Sequence, residues 1–281
     1  MKKSPNGGFL DTLLFLCSCT STSIHRVYTE GEELLDPYKV VTWGSPVGHG
    51  VSDSRHLHLS AIGKTDSPAG PYCVVNELIS GEIGHRLRLP VPPFCVVQDS
   101  TSQPFFASLD FNLTGLSLPP IFAKDFAANF PQAVGDLLVF DTYICNSDRH
   151  AGNLSADYPA NRYNIFDHSH AVLGGTHHGI PGLSRLALAA SSLVMDGSTG
   201  GNRHCLLDVL IESKRLVPMI DRIEGLEDYF IRDIVDSSAE YGLDSATQSG
   251  LFDFLRERRD GLRILINTNR ASFRQVLLWS L

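Results

Sequence analysis

The sequence lacks the paired cysteines of a disulfide framework or a zinc site. Six cysteines occur in 281 residues, only Cys17 and Cys19 are close together, and there is no Cys-x-x-Cys pair or Cys/His ligand spacing. Scattered cysteines in apolar segments usually pack as small hydrophobic side chains. Disulfides persist in oxidising compartments. We therefore expect that this protein resides in a reducing compartment and that its location is cytoplasmic.

An excess of basic residues is also missing. Lys and Arg number 23 against 31 Asp and Glu, which gives a formal net charge of -8. Proteins that bind nucleic acid usually carry a basic surface or a basic overall balance. We therefore expect no direct binding of nucleic acid.

No apolar segment is long enough to cross a bilayer. The strongest candidate, residues 9–19, is short and is interrupted by Asp11. Residues 1–30 are therefore predicted to be an N-terminal extension, either a short helix or an irregular segment, and no membrane span is expected. A cleaved or lipidated signal is the alternative for this segment.

The pattern of apolar residues changes along the chain from strand-like to helical. Strands are predicted over Val40–Trp43, Leu57–Ile62, Phe94–Val97 and Tyr163–Phe166. Helices are predicted over Val75–Leu87, Ala133–Cys145 and most of residues 181–196 and 204–278. The polar residues 100–120 predict a junction between two lobes. This order, with strands first and helices second, favours an α+β fold. It would have a small β-rich lobe over residues 31–110 and a larger helical lobe over residues 111–281.

Three polar residues have the spacing of a phosphoryl-transfer site. Asp148 and Asn153 are five positions apart, and Asp167 follows a short predicted strand fourteen positions later. In kinases one carboxylate orients the incoming hydroxyl, while an amide and a second carboxylate hold Mg²⁺ against the nucleotide phosphates. Protein kinases have the same five-residue spacing in their catalytic loop. The spacing therefore predicts a phosphotransferase that uses ATP and Mg²⁺.

The same segments resemble a known family, the HipA-like kinases, and more distantly the PI3/PI4-kinase-related members of the protein-kinase-like fold. The resemblance lies in Asn146-x-Asp148-Arg149-His150-x-x-Asn153, in Phe166-Asp167-His168, and in Val75-Asn76-Glu77-Leu78-Ile79 with the later Leu87-x-Leu89-Pro90-Val91-Pro92. It covers about residues 40 to 175. The resemblance implies a two-lobed serine/threonine protein kinase with a protein substrate and a partner antitoxin.

Carried over residue by residue, the resemblance implies that Asp148 is the catalytic base and that Asn153 and Asp167 are metal ligands. It places His150 in the catalytic loop as a brace. Glu77 would pair with the lysine that contacts the α- and β-phosphates. The family has that lysine on a strand before the helix, and Lys64, which ends the segment Leu57–Lys64, is our candidate.

Other functions stay open at this stage. If Lys64 points away from the site, the protein is a nucleotide-binding pseudokinase that acts as an interaction module. Kinases of small molecules or lipid headgroups are a second alternative with the same fold. A metal-dependent hydrolase that uses Asp167, His168 and His170 is a third.

Three features also have purely structural interpretations. Asp148 could cap a helix that begins near Ala151. The glycines of Gly44–Gly50 could cover a phosphate or form an ordinary turn. The arginines between Arg256 and Arg263 are expected to form a solvated helix face rather than a phosphate-binding patch.

Overall fold

The structure is a computed structural model that describes residues 38, 40–48, 52, 54–111 and 119–281. The predicted extension over residues 1–30 lies outside these residues, as do His49 and Gly50 of the glycine-containing stretch. The described part is a mixed α and β structure in which most strands precede most helices. Within it, no helix is both long and apolar enough to cross a membrane.

The strands of the described residues form three small antiparallel sheets. The first sheet pairs β1 (Val40–Pro46) with β2 (Arg55–Leu59). The second has the order β3-β5-β4, with β3 (Ala61–Lys64), β4 (Phe94–Gln98) and β5 (Pro104–Leu109). The third pairs β6 (Leu154–Asp157) with β7 (Arg162–Ile165).

One strand prediction needs correction, and one strand was not predicted. The single strand predicted over Leu57–Ile62 is two strands, because the chain breaks at Ser60 and passes from the first sheet to the second. The junction predicted over residues 100–120 contains β5, the central strand of its sheet. Phe106 and Ala107 in that strand are buried, so tertiary packing overrides the polar character of the surrounding sequence.

Helix α1 (Cys73–Arg86) confirms the helix predicted over Val75–Leu87. It begins where the Asp66 carboxylate accepts a hydrogen bond from the backbone N–H of Val74 at 2.9 Å, and it ends before the Leu89-Pro90 segment. The helix contacts β4, β5 and α6, so it is buried on nearly all sides. This position brings one face of α1 to the end of β3.

The remaining helices pack against one another through α3 and α7. They are α2 (Ala123–Asn129), α3 (Pro131–Tyr143), α4 (Leu183–Ala189), α5 (Val217–Glu224), α6 (Asp228–Ser237) and α7 (Ser245–Thr268). Helix α3 confirms the buried helix predicted over Ala133–Cys145 and contacts α2, α5 and α7. The helical segment predicted over residues 181–196 is restricted to α4.

The expectation of a solvated arginine face on α7 is wrong for Arg258 and Arg259, which are both buried. Arg258 donates hydrogen bonds to the carbonyl oxygens of Thr142, Ala189 and Ser192, each at 2.8 Å. Two of these carbonyls lie in the last turns of α3 and α4, where backbone acceptors have no partner within the helix. The guanidinium therefore fixes the end of α3 and the turn at the end of α4 to α7.

Candidate functional site

The centre of the site is a contact between three charged side chains from distant parts of the chain. Lys64 is the last residue of β3, Glu77 lies on α1, and Asp167 follows β7. The Lys64 Nζ atom is 2.6 Å from Oε1 of Glu77 and 2.9 Å from Oδ1 of Asp167. The structure thus brings together three residues that the sequence proposes for the site, and Lys64 points into it.

Each of these three groups is charged at neutral pH. Burial raises the pKa of Glu77 and of Asp167. The Lys64 ammonium, together with the hydrogen bonds from His168 to Glu77 and from Ser169 to Asp167, outweighs this effect, so both pKa values lie below their usual range. Burial lowers the pKa of Lys64, and the two carboxylates reverse that effect and raise it. Two carboxylates and one ammonium leave a net negative charge, which suits a divalent cation.

The backbone at Asp167 has an unusual conformation. Its φ angle is 59°, in the left-handed region that a residue with a Cβ atom seldom adopts. The Ser169 hydroxyl donates to Oδ1 of Asp167 at 2.7 Å, so the carboxylate is held from two sides. Strained residues of this kind concentrate at functional sites, where the surrounding structure fixes them.

The second part of the site is the loop from Asn146 to Asn153. The Asn146 side-chain oxygen accepts from the backbone N–H of Asp148 at 3.0 Å. The Asn153 Nδ2 atom donates to the Asp148 carbonyl oxygen at 2.9 Å. Because the amide nitrogen of Asn153 is engaged in this way, its oxygen is the atom that can ligate a cation.

His150, and not Asp148, caps the short 3-10 turn over Ala151–Asn153. Its Nδ1 atom accepts a hydrogen bond from the backbone N–H of Gly152 at 3.0 Å. The interpretation of Asp148 as the cap of this turn is therefore wrong. His150 makes its contact inside the loop, and the Asp148 carboxylate is left to other partners.

A buried arginine connects this loop to the strand end that carries Asp167. Arg149 donates from Nη1 to the carbonyl oxygens of Asn153 at 2.9 Å and Phe166 at 2.7 Å. Its Nε and Nη2 atoms donate to the two carboxylate oxygens of Asp141 on α3, at 2.8 and 3.1 Å. The guanidinium, together with the hydrogen bond from the Phe166 N–H to the Asn153 carbonyl oxygen at 3.3 Å, therefore fixes the position of Asp167 relative to the loop.

Sequence reasoning missed Asp141 and its other partners. The carboxylate also accepts hydrogen bonds from Nδ2 of Asn146 and Nε2 of His204, both at 2.9 Å. Asp141 is fully buried in a helix whose residues are mostly apolar. An acid in a predicted buried helix needs partners, and this was the signal available in the sequence.

The wall of a cavity of about 280 Å³ includes Lys64, Glu77 and Asp167. Its other walls are mainly apolar. They are formed by β3, β5, the segment before β4 and the residue after β7, with the side chains of Ile62, Val91, Pro92, Phe106 and Phe166. Mainly apolar pockets with a few convergent polar groups are typical of small-molecule sites. The cavity could hold a flat ring with a charged group directed toward Lys64.

The histidines after Asp167 are placed differently from a metal-binding cluster. His168 is buried, with Nδ1 3.5 Å from Oε2 of Glu77 and its ring edge against Phe140. Burial lowers its pKa. His170 lies against the ring of His177. In the part of the chain that the structure describes, no three His, Cys, Asp or Glu side chains are grouped so that they could hold a metal ion.

The chain was also compared with known proteins. No protein-family model matches the sequence, and no curated protein matches it. The structure is similar to the crystal structure of CtkA, a proinflammatory kinase of Helicobacter pylori, with a TM-score of 0.48 and 15% sequence identity, over 74% of this chain and 91% of that one. A similarity of this size assigns no activity.

Proposed function

We propose that this protein is an ATP- and Mg²⁺-dependent phosphotransferase with a two-lobed, kinase-like fold. The observation that carries the proposal is the contact of Lys64 with both Glu77 and Asp167 at the wall of a mainly apolar cavity. Residues 31–110 would form the smaller lobe and residues 111–281 the larger one. The contact also speaks against a pseudokinase that lacks its phosphate lysine.

The residues around the cavity suit ATP and Mg²⁺. The adenine ring would occupy the apolar part of the cavity, and the Lys64 ammonium would contact the α- and β-phosphates. The Asp167 carboxylate and the Asn153 amide oxygen are the hard oxygen ligands that Mg²⁺ prefers. The ion would neutralise charge on the phosphates during transfer.

In the proposed reaction Asp148 accepts the proton of the incoming hydroxyl. The hydroxyl oxygen forms a bond to the γ-phosphorus, the bond from that phosphorus to the β–γ bridging oxygen breaks, and ADP leaves. Arg149 keeps Asn153 and Asp167 in a fixed relation during this step, because it binds a carbonyl oxygen on each side. Most of the rate acceleration would come from positioning.

The acceptor that we propose is a serine or threonine hydroxyl of a protein. Support comes from the resemblance of the loop around Asp148 and of the α1 segment to HipA-like kinases. The same resemblance supports a partner antitoxin as the regulator. Phosphorylation of a serine/threonine peptide library, with free sugars and inositol lipids as competing acceptors, tests this choice, and transfer to a free sugar or lipid alone would contradict it.

The reaction is tested by measuring ADP formation and phosphoryl transfer from labelled ATP with Mg²⁺. We expect Asp148→Ala and Asp167→Ala each to lower kcat by at least about 100-fold, because each removes a group that acts on the reacting atoms. Asp253→Ala is the control, since this carboxylate lies on α7, half exposed and paired with Arg256. Unchanged turnover in both site variants would refute the assignment.

A further inference from the structure

The Asp148 carboxylate has a partner that lies outside every motif found in the sequence. The Asn202 Nδ2 atom donates a hydrogen bond to Oδ1 of Asp148 at 2.6 Å. Asn202 is 54 residues further along the chain, after the glycines of the segment Asp196–Asn202. Asn202 is itself exposed, so the hydrogen bond lies at the surface of the molecule, where an acceptor can approach.

The backbone around Asn202 is fixed to the loop that carries Asp148. The Asn202 N–H donates to the Ser147 carbonyl oxygen at 2.7 Å, and the Cys205 N–H donates to the Arg149 carbonyl oxygen at 3.0 Å. These two hydrogen bonds lie on either side of Asp148 in the loop. The segment therefore follows the loop closely and holds the Asn202 amide beside the carboxylate.

A glycine permits this close approach. A Cβ atom at Gly201 would lie 2.5 Å from Cβ and 2.6 Å from the carbonyl oxygen of Ser147, and the carbonyl cannot rotate away. Gly200 has a φ angle of 92°, so the chain turns there in a conformation that favours glycine. The two glycines therefore place Asn202 and contribute nothing chemical of their own.

We infer that Asn202 is a positioning residue for phosphoryl transfer, which orients the Asp148 carboxylate toward the hydroxyl acceptor. This inference rests on the proposed function. Rotation of a carboxylate about its last torsion is otherwise weakly restricted. The donated hydrogen bond to Oδ1 restricts this rotation and so sets the direction in which the carboxylate meets the hydroxyl. The amide is neutral, so it orients the base without forming an ion pair with it.

The first test compares Asn202→Ala with the wild-type protein in single-turnover and steady-state assays. We expect kcat to fall by about 10- to 100-fold, because a base that is poorly oriented loses part of the advantage of positioning. The KM for ATP and the affinity for a fluorescent ATP analogue should change less than about twofold, because Asn202 does not line the cavity beside Lys64. Ser198→Ala, a change in the same segment, is the control and should keep full turnover.

A second variant gives a signal that a merely structural role would not produce. Asn202→Asp puts two carboxylates in contact, which should lower kcat further than Asn202→Ala does at pH of about 8. As the pH falls toward about 6, a proton shared by the two carboxyls replaces the lost donor, so kcat relative to wild type should rise. The kcat of Asn202→Ala relative to wild type should stay constant over the same pH range.

The possible results separate this inference from the proposed function. No ATP turnover by the wild-type protein would overturn both. Turnover that is lost in Asp148→Ala but kept within about twofold in Asn202→Ala would overturn only the role of Asn202. If Asn202→Ala does not fold, the pH dependence of kcat for Asn202→Asp is the deciding measurement. A kcat that keeps a constant ratio to the wild-type kcat between pH of about 6 and 8 overturns the inference. Gly201→Ala should reproduce the loss in kcat, since it displaces the same amide.

Discussion

Arg149 and Asp141 form a bidentate ion pair in which both side chains are completely buried. Two guanidinium nitrogens donate to the two carboxylate oxygens at 2.8 and 3.1 Å. The third guanidinium nitrogen donates to the carbonyl oxygens of Asn153 and Phe166. One side chain thus connects helix α3, the loop of the candidate site and the strand end before Asp167.

Arg149→Lys should lower both stability and activity, although it keeps the positive charge. An ammonium on a shorter, flexible stem cannot make all four hydrogen bonds at once. We expect a loss of about 3 kcal/mol in the free energy of unfolding, the size typical of a broken buried ion pair. Urea denaturation measures the loss, and ATP turnover should fall even at temperatures where the variant is folded.

Arg256→Lys is the matched control on α7. Arg256 is partly exposed and pairs with Asp253 at 3.2 Å, so we expect the same chemical change to cost less than about 0.5 kcal/mol there. Equal losses in the free energy of unfolding at both positions would show that the buried ion pair stabilises the protein no more than the exposed one.

The candidate site could be predicted from the sequence to the extent that its residues lie in short motifs. Asp148, Asn153 and Asp167 have a recognisable spacing, and Glu77 lies on a helix that apolar periodicity predicts well. Lys64 is not preceded by the two apolar residues that are usual before the phosphate lysine in HipA-like kinases, so its role is harder to predict. The structure brings this lysine to Glu77 and Asp167.

The parts that could not be predicted depend on contacts between distant residues. The hydrogen bond from His204 to Asp141 spans 63 positions, and the one from Asn202 to Asp148 spans 54. Spacing in the sequence carries no information about such pairs. Strand β5 was missed for a related reason, because pairing with β3 and β4, rather than local propensity, makes it a strand.

Lys64→Met should weaken nucleotide binding and also destabilise the protein. The ammonium would no longer contact phosphate, so the affinity for a fluorescent ATP analogue should fall at least about tenfold. Glu77 would keep a buried carboxylate without its main partner, at a cost of about 2 kcal/mol in the free energy of unfolding. Lys214→Met, at an exposed lysine, should change neither quantity.

The double variant Lys64→Met with Glu77→Gln separates the two effects of losing Lys64. Removing the carboxylate's charge should recover most of the lost stability, whereas nucleotide binding should stay weak. Recovery of binding together with stability would mean that Lys64 acts only on the fold and not on the nucleotide.

The free energy of unfolding should decrease as the pH falls, because His204 is protonated more readily in the unfolded chain. The Nδ1 atom of His204 accepts from the Leu206 N–H at 3.0 Å, so Nε2 carries the proton and donates to Asp141. Burial lowers the pKa of His204, and the hydrogen bond to Asp141 opposes this only in part. Below a pH of about 6.5 the unfolded chain therefore binds a proton that the folded protein does not, and stability decreases as the pH falls.

His204→Gln tests this proton linkage. Glutamine still donates to Asp141 but does not titrate, so the variant should lose less stability between pH of about 7.5 and 5.5. The slopes of unfolding free energy against pH should differ by up to about 1.4 kcal/mol per pH unit, the value for one proton. Parallel slopes for the two proteins would contradict the assignment.

Two glycine-to-alanine changes in helices should have opposite effects on stability. A Cβ atom at Gly135 on α3 would overlap the carbonyl oxygen of Arg215 and lie 2.6 Å from its carbonyl carbon. Backbone atoms cannot rotate away, so α3 would have to move from the segment Ser213–Leu216 that it packs against. We expect Gly135→Ala to cost about 2 kcal/mol in the free energy of unfolding, the usual size of overpacking.

Gly261→Ala makes the same change on α7, where a Cβ atom would meet nothing within 4 Å. Alanine restricts the unfolded chain more than glycine does and favours the helix, so this variant should gain about 0.5–1 kcal/mol. Urea denaturation of both variants decides the matter. Because helix propensity acts alike at both positions, only the contact between α3 and the Arg215 backbone can reverse the sign, and a gain at Gly135 would refute that packing.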